Sequence, residues 1–370
     1  MPRSAPATPS VTMCTSSRTR DTVSTRWRGS RTCSREASRL FCTSRGGGDD
    51  PMPDSPHTSL TFSLSTNWNS ARHPTGEAMV DEILKLGFDA VELGYQLDEQ
   101  QAEGVLRRVR QGGVAVSSVH AFCPAPPHVA GGHPELYLTA SLDEDERVMA
   151  ILLAGKTLEF AQQVGARAVI LHAGRIRQGW WRRGLDSESL MRRVSDSGID
   201  DPLFKKQTAR ALWARERRAG RHLQALRRSL DRLVPRFEQA GVTLCLENLP
   251  SWEAVPSDAE ILQLTADYPA SALAYWHDLG HGQIRQHFGW SPDHAAVAAH
   301  LLPITRGVHI HDVHGLADDH HVPGTGVIDF TRFAFYGTAA VIRVFEPLPG
   351  TPATALAAAL AHLRQIWGGG

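Results

Sequence analysis

Seven charged or imidazole side chains stand at the ends of short apolar runs rich in β-branched residues. They are Glu92 in AVELG, His120 in VSSVHAF, His172 in AVILHAG, Glu247 in VTLCLENLP, Asp278 in YWHDLGH, His309 in GVHIHD and Glu346 in VIRVFEP. Carboxylates and imidazoles hold divalent cations and exchange protons near neutral pH. Their common place at run ends makes them more than a scatter of polar residues. Apolar runs of this length, bounded by turn signals, suit strands of a parallel sheet covered on both faces. In a (β/α)8 barrel the C-terminal ends of all strands open on one mouth, where the active site is built. The seven groups are therefore expected to converge there as a metal centre.

The elements that must position them alternate along the chain from Leu60 onward. Strands are expected at LTFSLS, around Ala90 to Leu93, at VAVSSVH and ARAVILH, and at 242–247, 272–277, 306–311 and 340–346. Between them, Met79, Val80, Ile83 and Leu84 form one apolar helix face before Gly87. Asp98 and Gln101 have capping-box spacing for a helix through Leu106 and Val109. Further helices are expected over 143–164 and near 218–240, 257–266, 293–301 and 352–366. Eight strands alternating with helices predict an α/β fold, a (β/α)8 TIM barrel.

Side chains of a barrel strand alternate between the interior and the helix layer. In the fifth strand Val242, Leu244 and Leu246 share one face, and Thr243, Cys245 and Glu247 the other. The bulky set belongs under the helices, which points Glu247 inward at the mouth. His309 and His311 likewise share a face opposite Val308 and Ile310. Asp278 and Glu346 have no such clean alternation, so strand ends alone place them.

Composition narrows the function. The 39 basic and 39 acidic residues cancel, so no global field draws the protein to nucleic acid or an anionic membrane. No apolar run reaches the ~18 residues that span a bilayer. Three of the five cysteines (Cys14, Cys33, Cys42) lie near the N-terminus, which is no disulfide framework and points to a reducing, cytoplasmic setting. Residues 1–57 are rich in Ser, Thr and Arg, contain no Lys and show no apolar periodicity. They are expected to be a disordered extension, too rich in proline at its start for a transit peptide. The barrel is expected over 58–370, with an insertion at about 175–217.

Five motifs together resemble a family. LENLP at the fifth strand end, Asp-Leu-Gly-His at 278–281, His-Ile-His-Asp at 309–312, Asp-Asp-His-His-Val-Pro-Gly-Thr-Gly at 318–326 and FEP at 345–347 look like the xylose isomerase-like TIM barrels. That superfamily includes sugar phosphate isomerases and epimerases and the AP endonuclease family 2, with endonuclease IV. The resemblance covers about residues 60–367. It implies one divalent cation held by Glu247, Asp278, His309 and Glu346, with His281 as a helper. Glu247 and Glu346 would also be the acid/base pair that moves a proton beside the carbonyl of a sugar, sugar phosphate or keto-polyol. Oxygen-rich ligands with one imidazole suit Mn, Mg or Co, with Zn also admissible. A carbohydrate substrate and a homodimer are further implications of the resemblance.

Endonuclease IV-like members hold three zinc ions, and His120, His172, His281, Asp318 and His320 match their additional ligand positions. This alternative is a zinc-dependent phosphodiesterase acting on abasic DNA. Against it, ENLPSW replaces a glycine-containing segment, and the net charge is zero. Glu92 is expected to form a structural ion pair or to bind a substrate hydroxyl. Trp180, Trp181 and Arg182, in the insertion, could stack on a sugar and fork onto an anionic group. Ten of the eighteen histidines fall between His277 and His321, too dense a run for surface decoration. Within it His311 and His314 are expected to be solvated or to support ligands from behind, and His287, His294 and His300 have no expected role.

Overall fold

The computed structural model describes residues 60–129, 131–176, 184–315 and 317–368. Eight strands, β1 (Ser63–Ser65), β2 (Ala90–Leu93), β3 (Val116–His120), β4 (Ala168–Leu171), β5 (Thr243–Glu247), β6 (Leu273–Asp278), β7 (Thr305–Ile310) and β8 (Ile342–Phe345), run in sequence order around a closed barrel. Every neighbouring pair is parallel, and β8 pairs back onto β1 with Ser63 opposite Val344. The fold is the expected (β/α)8 TIM barrel. The expected N-terminal extension, residues 1–57, lies outside the described residues, as do Trp180, Trp181 and Arg182 of the insertion.

The first helices form where local signals predict them. In α1 (Gly76–Lys85) the Thr75 side chain caps Ala78 N, and Met79, Val80 and Ile83 are buried. The capping box of α2 (Glu99–Arg110) is made by Asp98 and Gln101. Asp143 caps α3 (Glu144–Val164), which Gly165 ends in the left-handed conformation. The chain then departs from expectation. The segment expected as an insertion forms α4 (Ser187–Ser197) and the first half of α5 (Pro202–Ala240), so the helix expected near 218 begins at Pro202. Its Arg215 is buried and forks onto Glu260, at 2.9 and 2.6 Å. Lys205, Lys206, Arg210 and Arg217 are exposed. This is an amphipathic helix with a solvated basic face. The remaining helices are α6 (Asp258–Thr265), α7 (Leu279–His287), α8 (His294–Leu301), α9 (Phe335–Thr338) and α10 (Ala353–Gly368).

Two apolar layers fix which side chains face the mouth. Val169, Leu171, Leu244, Leu246, Val308 and Ile310 join the large core beneath the helices. Ala168, Ile170, Cys245, Ala274, Trp276, Ile342 and Val344 form a separate cluster inside the barrel. One further step of the strand alternation carries the inward face from Ile170 to His172, Cys245 to Glu247, Trp276 to Asp278 and Val344 to Glu346. Trp276 fits inside because Gly307 on β7 has no side chain: a Cβ there would lie 2.2 Å from the indole.

Candidate metal centre

Glu247, Asp278, His309 and Glu346 are all buried, and each offers one ligand atom within 4.8 Å of the others. His309 is the hinge of the group. Its Nδ1 lies 2.8 Å from Glu247 Oε1 and 3.1 Å from Glu346 Oε2, with Asp278 Oδ2 at 3.8 Å. Its Nε2 lies 3.1 Å from Glu92 Oε1. An imidazole held by a carboxylate through one nitrogen presents the other as a ligand, the usual support behind a metal-binding histidine. Glu92 is itself fixed by Ser118 Oγ, which donates to its Oε2 at 2.8 Å. Glu92 was expected to contact substrate or form an ion pair. It sits fully buried behind His309 and does not line the cleft.

Two further groups flank this one. His120 and His172 approach Glu247 Oε2 at 3.3 and 3.0 Å, so Glu247 belongs to both groups. On the other side His281, His311, Asp318 and His320 come together. Asp278 caps α7 by accepting from His281 N at 2.7 Å, which brings the helix's first turn into the site. Gly280 permits this approach, since a Cβ there would lie 2.0 Å from the His311 ring. Asn248 ties the ends of β5 and β6: its Nδ2 donates to Asp278 O and its Oδ1 accepts from Asp278 N.

The backbone decides the tautomers of three imidazoles. His120 Nδ1 meets Ala121 O at 3.0 Å, His281 Nδ1 meets Asn248 O at 2.7 Å and His320 Nδ1 meets Glu346 O at 2.7 Å. A carbonyl oxygen only accepts, so each Nδ1 carries a hydrogen, and each Nε2, which faces a carboxylate, is the nitrogen that would give its lone pair to a cation. That is the arrangement ligating histidines require. His311, expected to be solvated or supporting, is fully buried with its Nε2 3.0 Å from Asp278 Oδ1.

Charge points to the same use. Among the described residues no arginine or lysine pairs with Glu92, Glu247, Asp278 or Glu346; their ion-pair partners are histidines. Burial alone would lower the affinity of His309 for a proton, but Glu346, Glu92 and Glu247 outweigh it and hold the imidazole well above its ordinary pKa. Burial likewise favours neutral Glu247, yet His309 and His172 pull it well below the carboxylate range. His320, despite its burial, is raised to about 10, chiefly by Asp318. Buried carboxylates without a fixed cation are costly. Protonated imidazoles balance the charge here, and a divalent cation would balance it better. The donor set therefore fits a metal: three carboxylates and an imidazole at the centre, with histidine-rich groups beside it.

A cleft of about 190 Å³ opens over these groups, lined by His120, His172, Glu247, His281, Asp318, His320 and Glu346. Asn67, Tyr95 and Gln96 also line it and were not singled out in the sequence. Asn67 Nδ2 donates to Glu346 Oε1 at 3.0 Å. Asn67 Oδ1 and Gln96 Oε1 are buried acceptors with no donor among the described residues. Tyr95 is pushed above its ordinary pKa by burial and by the charges of Glu346 and Glu247. These residues follow β1 and β2, and all three are uncharged and lie beyond the strand ends themselves.

A family profile described as xylose isomerase-like TIM barrel matches residues 80–335. The chain belongs to this family. Solved structures similar to this xylose isomerase-like barrel include a D-tagatose 3-epimerase-like protein, at 19% identity and a TM-score of 0.60, with 84% of this chain and 99% of that one covered. The 3-keto-D-glucoside 4-epimerase of E. coli matches at 18% identity and TM-score 0.58, covering 83% and 99%. An L-ribulose 3-epimerase matches at 18% and 0.56, covering 83% and 94%. At these identities the likeness establishes the fold. No curated protein matches the sequence. Among the described residues no helix is long and apolar enough to cross a membrane.

Proposed function

We propose that this protein is a divalent-metal-dependent isomerase or epimerase acting on a sugar, sugar phosphate or keto-polyol. The observation that carries this reading is the placing of two carboxylates, Glu247 and Glu346, in one buried ligand group that also walls a small cleft. A volume of about 190 Å³ lies below the roughly 300–1,000 Å³ of drug-sized sites, which suits a short polyol. Glu247, Asp278, His309 and Glu346 would hold the ion, with Mn, Mg or Co favoured by the oxygen-rich set. When bound, that ion would polarise the substrate carbonyl and acidify the neighbouring C–H. One glutamate then removes the proton next to the carbonyl and the other returns a proton at the same carbon or its neighbour. Asn67 steadies Glu346, and the free acceptors Asn67 Oδ1 and Gln96 Oε1 receive substrate hydroxyls. The epimerases named among the similar structures support a carbohydrate substrate.

A second reading draws on a specific observation: all nine candidate ligands fall in three adjoining groups, two of which share Glu247. Three zinc ions there would serve phosphodiester hydrolysis, as in endonuclease IV. One experiment separates the two. The metal-loaded protein is incubated with a panel of ketoses in deuterated water. The isomerase reading expects turnover with deuterium at the carbon next to the carbonyl, abolished in Glu247→Gln and Glu346→Gln. Absence of turnover and exchange, together with cleavage of an abasic-site duplex by protein holding three zinc ions, would transfer the assignment to the hydrolytic reading.

A further inference from the structure

His314, Asp319 and His321 form a fourth ligand group, on the outer side of the loop that follows β7. The loop has two faces. Asp318 and His320 turn toward the cleft, whereas Asp319 and His321 pair on the other side, with His321 Nε2 3.2 Å from Asp319 Oδ2. The backbone beneath is fixed, because Asp312 and His321 exchange both main-chain hydrogen bonds at 2.8 Å. Asp319 is steered by His314 N, which lies 3.3 Å from each of its carboxylate oxygens.

The two imidazoles stack with centroids 3.6 Å apart and planes 26° from parallel. One tautomer is set by the main chain. His314 Nε2 donates to Thr325 O at 2.8 Å, so Nδ1 is the nitrogen left to ligate. Neither Glu247 nor any other residue of the inner groups takes part.

We propose that His314, Asp319 and His321 bind a divalent transition-metal ion at the rim of the barrel mouth, which clasps the loop carrying Asp318 and His320. Two imidazoles and one carboxylate suit Zn²⁺, Co²⁺ or Ni²⁺ over Mg²⁺ or Ca²⁺. His314 is exposed and the other two are half-buried, so water completes the coordination and the ion exchanges readily. The clasp costs the inner groups nothing when empty, and when filled it stiffens the segment that holds two of their members.

The test uses the full chain, stripped of metal with a chelator and then titrated with Zn²⁺ alone. Bound zinc per chain is measured for the wild type and for a His314→Gln/His321→Gln double variant, with hydrogen exchange of residues 312–326 followed in parallel. The double variant should bind one zinc fewer, lose the weakest binding step and keep the tighter ones. Slowing of exchange over 312–326 during that last step should occur only in the wild type. Equal stoichiometry and equal exchange in both would overturn the site. Should the double variant fail to fold, Asp319→Asn carries the test: the last step should weaken by at least about tenfold, and an unchanged step would overturn the proposal. These outcomes stand apart from the reaction at the inner groups, which they leave in place.

Discussion

Glu92 shows how far a residue's role depends on what stands in front of it. At a strand end it reads as a structural ion pair, a substrate contact or a metal contact; His309 lies between it and the cleft, and its carboxylate holds the imidazole Nε2 at 3.1 Å. Glu92→Gln keeps the shape and removes the charge that orients the ring and raises its basicity. Metal affinity should fall by about 10–100-fold while the metal-free protein keeps its thermal midpoint within a few degrees. Isothermal titration with Mn²⁺ reads the first effect and calorimetric scanning the second; unchanged affinity would limit Glu92 to packing. Asn67 poses the converse problem. Neither its type nor its place after β1 announces chemistry, yet its amide reaches Glu346 across 279 residues of sequence. Only a closed barrel, with β1 beside β8, brings the two together.

At the scale of elements, the strands are legible in the sequence and helices α4, α7 and α9 are not. All eight strands lie within three residues of their expected places, because short apolar runs closed at both ends by turn residues fit a buried strand and leave too little length for a helix. Helix α7 escapes a reading by propensity: Asp278-Leu-Gly-His contains glycine, a poor helix former, and the Asp278 cap and the tertiary fit of Gly280 against His311 make up for it. The start of α5 is hidden because its basic residues read as a loop, although Pro202 at the first turn and Asp201 as its cap mark a helix start. Which face of β6 points inward is equally hidden, since LAYWHD is buried on both sides. The answer lies in β7, where Gly307 makes room for Trp276. Gly307→Ala should therefore cost about 1–3 kcal/mol of stability through overpacking, measured by urea unfolding. The loss should shrink in a Trp276→Phe background; equal losses in both backgrounds would show that the indole is not what the added methyl meets.

At the scale of the whole molecule, a pair of buried histidines away from the mouth makes stability depend on pH. His277, on the helix side of β6, bonds Tyr336 Oη through Nδ1 at 2.6 Å and meets His294 Nε2 at 2.9 Å through its own Nε2. Burial, reinforced by His277, pushes His294 well below its ordinary pKa, and burial pushes His277 down to about 4. The folded state thus keeps His294 neutral where the unfolded chain, with a pKa near 6.5, takes up a proton. Stability is full above pH 6.5 and falls as pH drops below it, by up to about 1.4 kcal/mol per pH unit for each such group. Thermal midpoints between pH 7.5 and 5 should fall less steeply in His294→Gln than in the wild type. Parallel slopes would show that His294 is not among the groups responsible. The sequence by itself determined the architecture and the roster of the mouth, because parallel strands end together and chemistry-bearing residues at those ends have nowhere else to meet. Tertiary structure alone decided the groupings: that Glu247 belongs to two groups, that Glu92 lies behind His309, that His294 is buried against His277, and that Asn67 and Gln96 line the cleft. Those facts depend on distances across the barrel and on which side chain stands in front of which, and strand order in one dimension contains neither.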